Sequence, residues 1–297
     1  MKPTITVFTP TYNRAYCLNN GYESLCRQTL KDFIWLVIDD GSTDNTKELV
    51  EKWKKNDNGF EIQYIYKSNG GLASGYNAAI EVMDTELSVC IDSDDYLPDD
   101  AIERIVSFWE KNQSNNFAGI VGLDCTPDGD VIGDPLPNQK SINLIDLLVG
   151  RYRIKNGDRK HVVRTDLYKK FGPMPLFPDE RDFNPQFLHL QISKDYDFLV
   201  MNENLCYVDY QPDGMTTTVF KQYLRSPNSF RTMRLLDLSF NAPLRYTIKK
   251  TIHYISSCVL SKKPCVSASP RKILTVLLYP FGVALTVYLK NTVREHV

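Results

Sequence analysis

The sequence is poor in the residues that most often betray a function. Its seven cysteines are odd in number, widely scattered and form no Cys-x-x-Cys pair, which excludes a disulfide framework and fits a reducing compartment. The formal net charge is only −1, so bulk charge gives no reason to expect a nucleic-acid partner. "MKPTITVFTPTYNR" lacks the apolar core of a signal peptide and enters a strand at once. Internal repeats and low-complexity tracts are missing. So are a P-loop, for want of Gly-Lys-Ser/Thr, and the spacing of a dinucleotide-binding fingerprint.

What is present is alternation. Runs rich in Val and Ile lie at 4–10, 33–40, 61–68, 87–92 and 118–124, and each ends in turn residues. Helical patterns lie between them. Leu18, Tyr22 and Leu25 share a face in 16–29. Leu49, Val50 and Trp53 do so in 45–54, behind the capping-competent Ser42, Thr43 and Asp44. An alanine-rich stretch at 72–83 and one opening with Pro98 at 98–111 continue the series. Strand-helix repetition predicts an α/β fold with a mainly parallel, doubly wound sheet. The second half is less regular: 126–139 reads as a loop, 141–150 and 244–260 as helices, and 151–220 has no clear period.

Ligands of such sheets bind beyond the carboxyl ends of the strands. Four successive ends carry "PTYNR", "DDGSTD", "SNGGLASGYN" and "DSDD". In the last, Asp92, Asp94 and Asp95 crowd like charges together, which costs free energy unless a cation sits among them. Carboxylates at this density suit Mg²⁺ or Mn²⁺, which accept phosphate oxygens as further ligands. Asp40, at a strand end, is placed to accept from a ring N–H such as a uracil imide. Gly70 and Gly71 let backbone approach a ligand closely, and Asn77 follows one to two turns into the next helix.

Together, "FTPTYNR", "QTLKDFIWLVIDDGSTDNT", "NGGLASGYNAAI" and "CIDSDDYLPDDAI" resemble the successive motifs of family-2 glycosyltransferases with the GT-A fold. The resemblance is strong over about residues 3–110 and looser through "GDRKHVVRTDLYKKF" and "YQPDGMTTT" to about 220. It implies a nucleotide-sugar donor, a divalent metal (Mn²⁺ or Mg²⁺) and inversion at the anomeric carbon. By position, Pro10, Thr11 and Tyr12 would floor the nucleobase pocket and Asp40 would hold the base. Asn69, Gly70, Gly71 and Asn77 would line the donor site, Asp92 would approach the ribose or sugar, and Asp94 would bind the metal. Arg14 is a candidate phosphate or cap residue. The implied organisation is a GT-A domain over 1–225, with a nucleotide-sugar half (1–110) and an acceptor half (111–225), and a helical extension over 226–297.

The catalytic base is less plain. The family supplies a carboxylate some 80–100 residues after the Asp-x-Asp, and related sequences often carry Glu where this one has Gln186. Glutamine cannot accept the acceptor's proton. In "LFPDERDFNPQFLHLQI" the remaining candidates are Glu180 first, Asp182 second, and Asp179 nearby. His161 is a candidate for orienting the acceptor. The two alternatives are a catalytically inactive nucleotide-sugar binder, kept open by Gln186, and a nucleotidyltransferase.

One stretch departs from a soluble profile. Residues 273–289 carry no charge, are interrupted by Pro280 and Gly282, and are flanked by Lys262, Lys263, Arg271, Lys272, Lys290 and Arg294. As a helix this run would be roughly 26 Å long, slightly short of a bilayer core. It suits a segment lying in a membrane surface better than a span. The expected setting is the cytoplasm at the inner face of the cell membrane, with a glycan or lipid-linked acceptor of a surface-polysaccharide pathway.

Overall fold

The structure, a computed structural model, describes residues 3–211 and 218–294. Residues 212–217, the greater part of the "YQPDGMTTT" motif, lie outside the described residues. By packing, the chain divides into two compact units: residues 3–70, 74–174 and 188–211 in one, and residues 71–73, 175–187 and 218–294 in the other.

The first unit begins as the alternation predicts. Strand β1 (Ile5–Thr11) is followed by α1 (Leu18–Arg27), β2 (Phe33–Asp39) by α2 (Thr46–Trp53), β3 (Glu61–Tyr66) by α3 (Leu72–Val82), and β4 (Leu87–Cys90) by α4 (Ala101–Asn112). Then come β5 (Phe117–Cys125), β6 (Ser141–Ile142), α5 (Leu144–Leu148), β7 (Arg159–Arg164), α6 (Thr165–Phe171), α7 (Gln186–Ile192) and β8 (Asp197–Tyr207). All eight strands join one sheet in the order β3-β2-β1-β4-β7-β5-β8-β6.

β1 and β2 are buried at every position, as expected of central parallel strands covered on both faces. β3, at the edge, alternates exposed Glu61 with buried Ile62. Helices α1 and α2 close one face through Tyr22 and Trp53, whose rings stack at 4.3 Å over buried Trp35. Each large apolar side chain buried this way contributes about 1.5–3 kcal/mol.

The sheet is less uniformly parallel than the sequence suggests. β1 to β4 are mutually parallel, but β7 runs antiparallel to both β4 and β5. This inversion brings the start of β7 to the carboxyl ends of its neighbours. The helix expected over 141–150 is shorter. Ser141 and Ile142 pair with β8, and Asn143 caps the following turn by accepting from the Ile145 N–H at 3.0 Å.

The second unit is helical: α8 (Val219–Arg225), α9 (Pro227–Ser239), α10 (Leu244–Ser261) and α11 (Lys272–Arg294). The interruption expected at Pro280 and Gly282 does not occur. α11 is one continuous helix of 23 residues, about 34 Å long. It is pinned to α10 on both sides of the proline, by Leu278 packed on the Tyr254, Ile255 and Cys258 cluster and by the Thr286 hydroxyl on Ser256. At Gly282 a Cβ would come within 2.4 Å of Ile255 Cβ, so the glycine serves close packing rather than a break.

Candidate active site

The strand order reverses between β1 and β4, which is where ligands bind in open α/β sheets. The last ladder contact there is Ile91 N–H donating to Phe8 O at 3.0 Å. Two residues on, Pro10 points its missing N–H to the side that β4 has left, so the proline costs no ladder bond. β1 is paired with β2 alone through Thr11, whose backbone oxygen accepts from Asp40 N–H at 2.8 Å. Among the described residues the buried Thr11 hydroxyl has no hydrogen-bond partner, while the next side chain, Tyr12, is 48% exposed. A buried orphan hydroxyl at a strand end calls for a partner.

The next two strand ends form one hydrogen-bonded assembly. Asp39 accepts from Ser42 N–H at 2.7 Å and from the Tyr64 hydroxyl at 2.6 Å. Asp40 accepts from Lys67 Nζ at 2.5 Å and from Gly70 N–H at 3.0 Å to both oxygens. Asn69 Nδ2 donates to Asp40 O at 2.9 Å. Asp44 caps α2 as expected, accepting from Thr46 N–H, and also takes Ala15 N–H. Arg14 stacks its guanidinium on Tyr16 and hydrogen-bonds its hydroxyl.

Two other expected donor-site residues are engaged elsewhere. Both ends of the Asn77 amide go to the Met174 backbone, at 2.8 and 2.9 Å. Gly71 lies in the second unit with a φ of +82°, and a Cβ there would fall 2.4 Å from Arg181 O. Both constraints explain the glycine.

At the fourth end the three carboxylates separate by environment. Asp92 is exposed and Asp94 half-buried; burial first, then the charge of Asp92, pushes the Asp94 carboxyl above its usual range. Asp95 is buried, and a cation does sit beside it. Lys160, from β7, places Nζ 3.6 Å from Asp95 and 3.9 Å from Asp124 of β5. Burial works against the Lys160 ammonium, but Asp124, Cys206 and Asp95 hold it well above the ordinary lysine value, so it stays charged. Part of the charge crowding read in the sequence is thus relieved by the protein itself. The sequence reading missed both Lys160 and Asp124.

Burial also raises the Asp124 carboxyl from 3.8 to about 6. The folded form therefore holds this proton more tightly than the unfolded chain does. The stability this contributes is full below the unfolded value and lost as pH rises through about 6. Melting temperature should carry a component that falls across that window, and Asp124→Asn should flatten it. An unchanged profile in the variant would refute the assignment.

Among the described residues, no group of three or more His, Cys, Asp or Glu side chains is arranged to hold a metal ion. The Asp94 carboxyl, crowded by Asp92 and half-buried, instead fits a Mg²⁺- or Mn²⁺-type site in which one or two carboxylates are completed by water and phosphate oxygens.

The acidic segment of the second unit is fully occupied. Glu180 caps the start of α9: one oxygen accepts from Asn228 N–H and Nδ2 at 2.8 and 2.7 Å, the other from Ser229 N–H and Oγ at 2.7 Å. Asp182 makes a bidentate pair with Arg225, both contacts 2.6 Å, and accepts from the Ser226 hydroxyl. Asp179 is exposed, with a φ of +63°. Gln186 begins α7, its N–H bonded to Asn184 Oδ1. In the first unit His161 is half-buried and stacked on buried His189 at 4.3 Å; desolvation and the neighbouring His189 hold it far below the usual histidine value, hence neutral.

Comparison with known proteins decides the family. The sequence profile described as Glycosyl transferase family 2 matches residues 6–165, more than half of the chain. The chain belongs to glycosyl transferase family 2. This family-2 chain is 32% identical over 132 residues to a chondroitin synthase of Pasteurella multocida, covering 44% of the chain and 14% of that protein. It is 29% identical over 129 residues to the putative teichuronic acid biosynthesis glycosyltransferase TuaG of Bacillus subtilis, covering 42% of the chain and 51% of TuaG.

Its fold resembles S. aureus TarS 1–349 in complex with UDP-GlcNAc (TM-score 0.61, 16% identity, 99% of this chain and 92% of that one). It also resembles the mannosyltransferase PcManGT of Pyrobaculum calidifontis with GDP-Man and Mn²⁺ (TM-score 0.58, 17% identity, 97% and 81%). The family-2 chain thus has the GT-A architecture, a mostly parallel sheet flanked by helices with a C-terminal helical part, and it spans only a small part of the length of the first of these relatives. The nucleotidyltransferase alternative is not favoured.

Proposed function

We propose that the protein is an inverting glycosyltransferase that moves a sugar from a nucleoside-diphosphate donor, a UDP-sugar, to a glycan or lipid-linked acceptor in cell-surface polysaccharide synthesis. Its setting would be the cytoplasmic face of the cell membrane. The observation that carries this reading is the convergence of four parallel strand ends at the switch point, bearing Thr11–Tyr12, Asp39–Asp40, Asn69–Gly70 and Asp92–Asp94.

Thr11 and Tyr12 would take the nucleobase, its imide N–H reaching Asp40, while Gly70 admits the backbone close to the donor. Asp92 would orient the ribose or sugar, and Asp94 would hold the divalent ion. That ion would supply positive charge to the diphosphate as the glycosidic bond breaks. The acceptor oxygen attacks the anomeric carbon on the face opposite the nucleoside diphosphate, and its proton passes to a carboxylate.

For that carboxylate we favour Asp182 over Glu180. Glu180 already accepts four hydrogen bonds, two of them from backbone N–H groups that cannot move without unwinding α9. Asp182 is held mainly by Arg225, whose side chain is 57% exposed and has room to withdraw. Glu180→Gln should cost about 1–2 kcal/mol of stability through the weakened cap and spare kcat. Asp182→Asn should lower kcat about 100-fold or more, a loss much larger than its share of the melting shift that follows from breaking the buried carboxylate's pair with Arg225. If Glu180→Gln instead abolishes turnover in a protein of unchanged stability, the roles are reversed.

Hydrolysis and transfer assays with a panel of nucleotide sugars and Mn²⁺ test the whole reading. Donor binding without any turnover, in the presence of candidate acceptors, would favour the inactive-binder alternative. Asp40→Asn should raise donor KM about 10- to 100-fold with a smaller effect on kcat. A normal KM would remove Asp40 from nucleobase recognition.

A further inference from the structure

The charge of this chain is unevenly placed. From residue 238 to residue 294 there are nine lysines and arginines and no aspartate or glutamate, in a protein whose net charge is −1. The same stretch holds α11, whose sides differ sharply. Thr275, Gly282, Thr286 and Leu289 line a narrow buried side, held on α10 by the Thr286–Ser256 hydroxyl contact at 2.9 Å and by Gly282 against Ile255.

The opposite side is apolar yet exposed. Ile273 is 81% exposed, Leu277 67% and Phe281 61%, and Val276, Val287 and Tyr288 are exposed beside them. At 100° per residue these six fall within a 140° arc centred opposite the buried side, and no charged residue lies in the helix between Lys272 and Lys290. Those two lysines are 18 residues apart, five full turns, so they stand on one line along the edge of the stripe. Lys262 and Lys263, just before α11, are exposed as well. A continuous apolar patch of this kind on a soluble surface marks an interaction site.

We propose that α11 docks lengthwise onto an anionic lipid surface, its exposed apolar stripe sunk among the acyl chains and its flanking lysines on the lipid phosphates. Charge complementarity selects the occupant: a stripe edged only by cations matches acidic headgroups. The packing on α10 selects the orientation. A helix pinned along one side to another that carries Arg245, Lys249 and Lys250 lies in the interface and does not cross the bilayer. The docking draws its purpose from the lipid-linked acceptor proposed above. Its test needs no substrate, so either idea can fail alone.

The test is flotation of the full chain with vesicles of phosphatidylcholine alone or mixed with phosphatidylglycerol, with melting temperature as a fold control. Wild type should float with the anionic vesicles and release as salt rises. Leu277→Glu with Phe281→Glu should weaken binding at least about tenfold at an unchanged melting temperature. Lys262→Gln, Lys263→Gln, Lys272→Gln and Lys290→Gln combined should erase the preference for anionic lipid. Wild type that stays with neither vesicle overturns the proposal. So does a concentration-dependent dimer that Leu277→Glu with Phe281→Glu dissolves while flotation is unaffected, since the stripe then covers a second copy.

Discussion

Asp94→Asn is expected to lower sugar transfer about 100- to 1,000-fold while leaving the melting temperature unchanged or slightly raised. The loss follows from the proposed role: the carboxylate that would bind the ion beside the diphosphate is gone. The stability effect follows from burial. The Asp94 carboxyl is pushed up by desolvation and by Asp92, so its ionised form costs the fold something at neutral pH. Stability from a raised carboxyl is present at low pH and lost as pH rises through its folded value, and an uncharged asparagine avoids that loss. Steady-state transfer across a Mn²⁺ titration, with a thermal melt on the same samples, separates the two effects. Transfer that persists both in EDTA and in Asp94→Asn would end the metal role.

Lys160→Met should do the reverse, damaging the fold first. Removing the ammonium strands Asp95 and Asp124 as buried carboxylates without their cation. Breaking a buried pair in this way costs about 3–5 kcal/mol. Because stability then depends on neutralising the stranded carboxyls, the variant should be more stable in mild acid than at neutral pH. Adding Asp124→Asn to Lys160→Met should recover part of the loss, since the two side chains act on the same charge balance. Additive destabilisation in the double variant would show that Lys160 answers to Asp95 alone, or that its aliphatic stem carries the effect. Chemical denaturation of the four proteins gives the cycle directly.

These two residues also show how far the sequence could be read. The position of Asp94 at a strand end is legible because it follows an apolar strand and belongs to a local cluster, and local order is what a single sequence displays. Lys160 was not. It is one basic residue among several, and its role depends on β7 running antiparallel between β4 and β5, a long-range pairing with no local mark. The surroundings of Glu180 are hidden from the sequence for a related reason. Its four donors come from Asn228 and Ser229, 48 and 49 residues away, so a carboxylate that reads as free is in fact a helix cap. In α11, proline and glycine read as breakers because intrinsic propensity was all the sequence offered. Packing on α10 overrides it, as tertiary contacts commonly do. The strand ends at Thr11, Asp40, Gly70 and Asp92 were readable because apolar runs closing in turn residues state both the strand and where it stops.

The proposed activity requires one placement: a nucleotide-sugar donor at the β1–β4 switch point. A crystal structure of the protein soaked with Mn²⁺ and a UDP-sugar measures it most directly. The expected result is the uracil ring between Tyr12 and Asp40, the Thr11 hydroxyl taking up a ligand atom, and the ion between Asp94 and the diphosphate. A donor bound at another edge of the sheet, or a diphosphate and ion with no contact to residues 92–94, would contradict it.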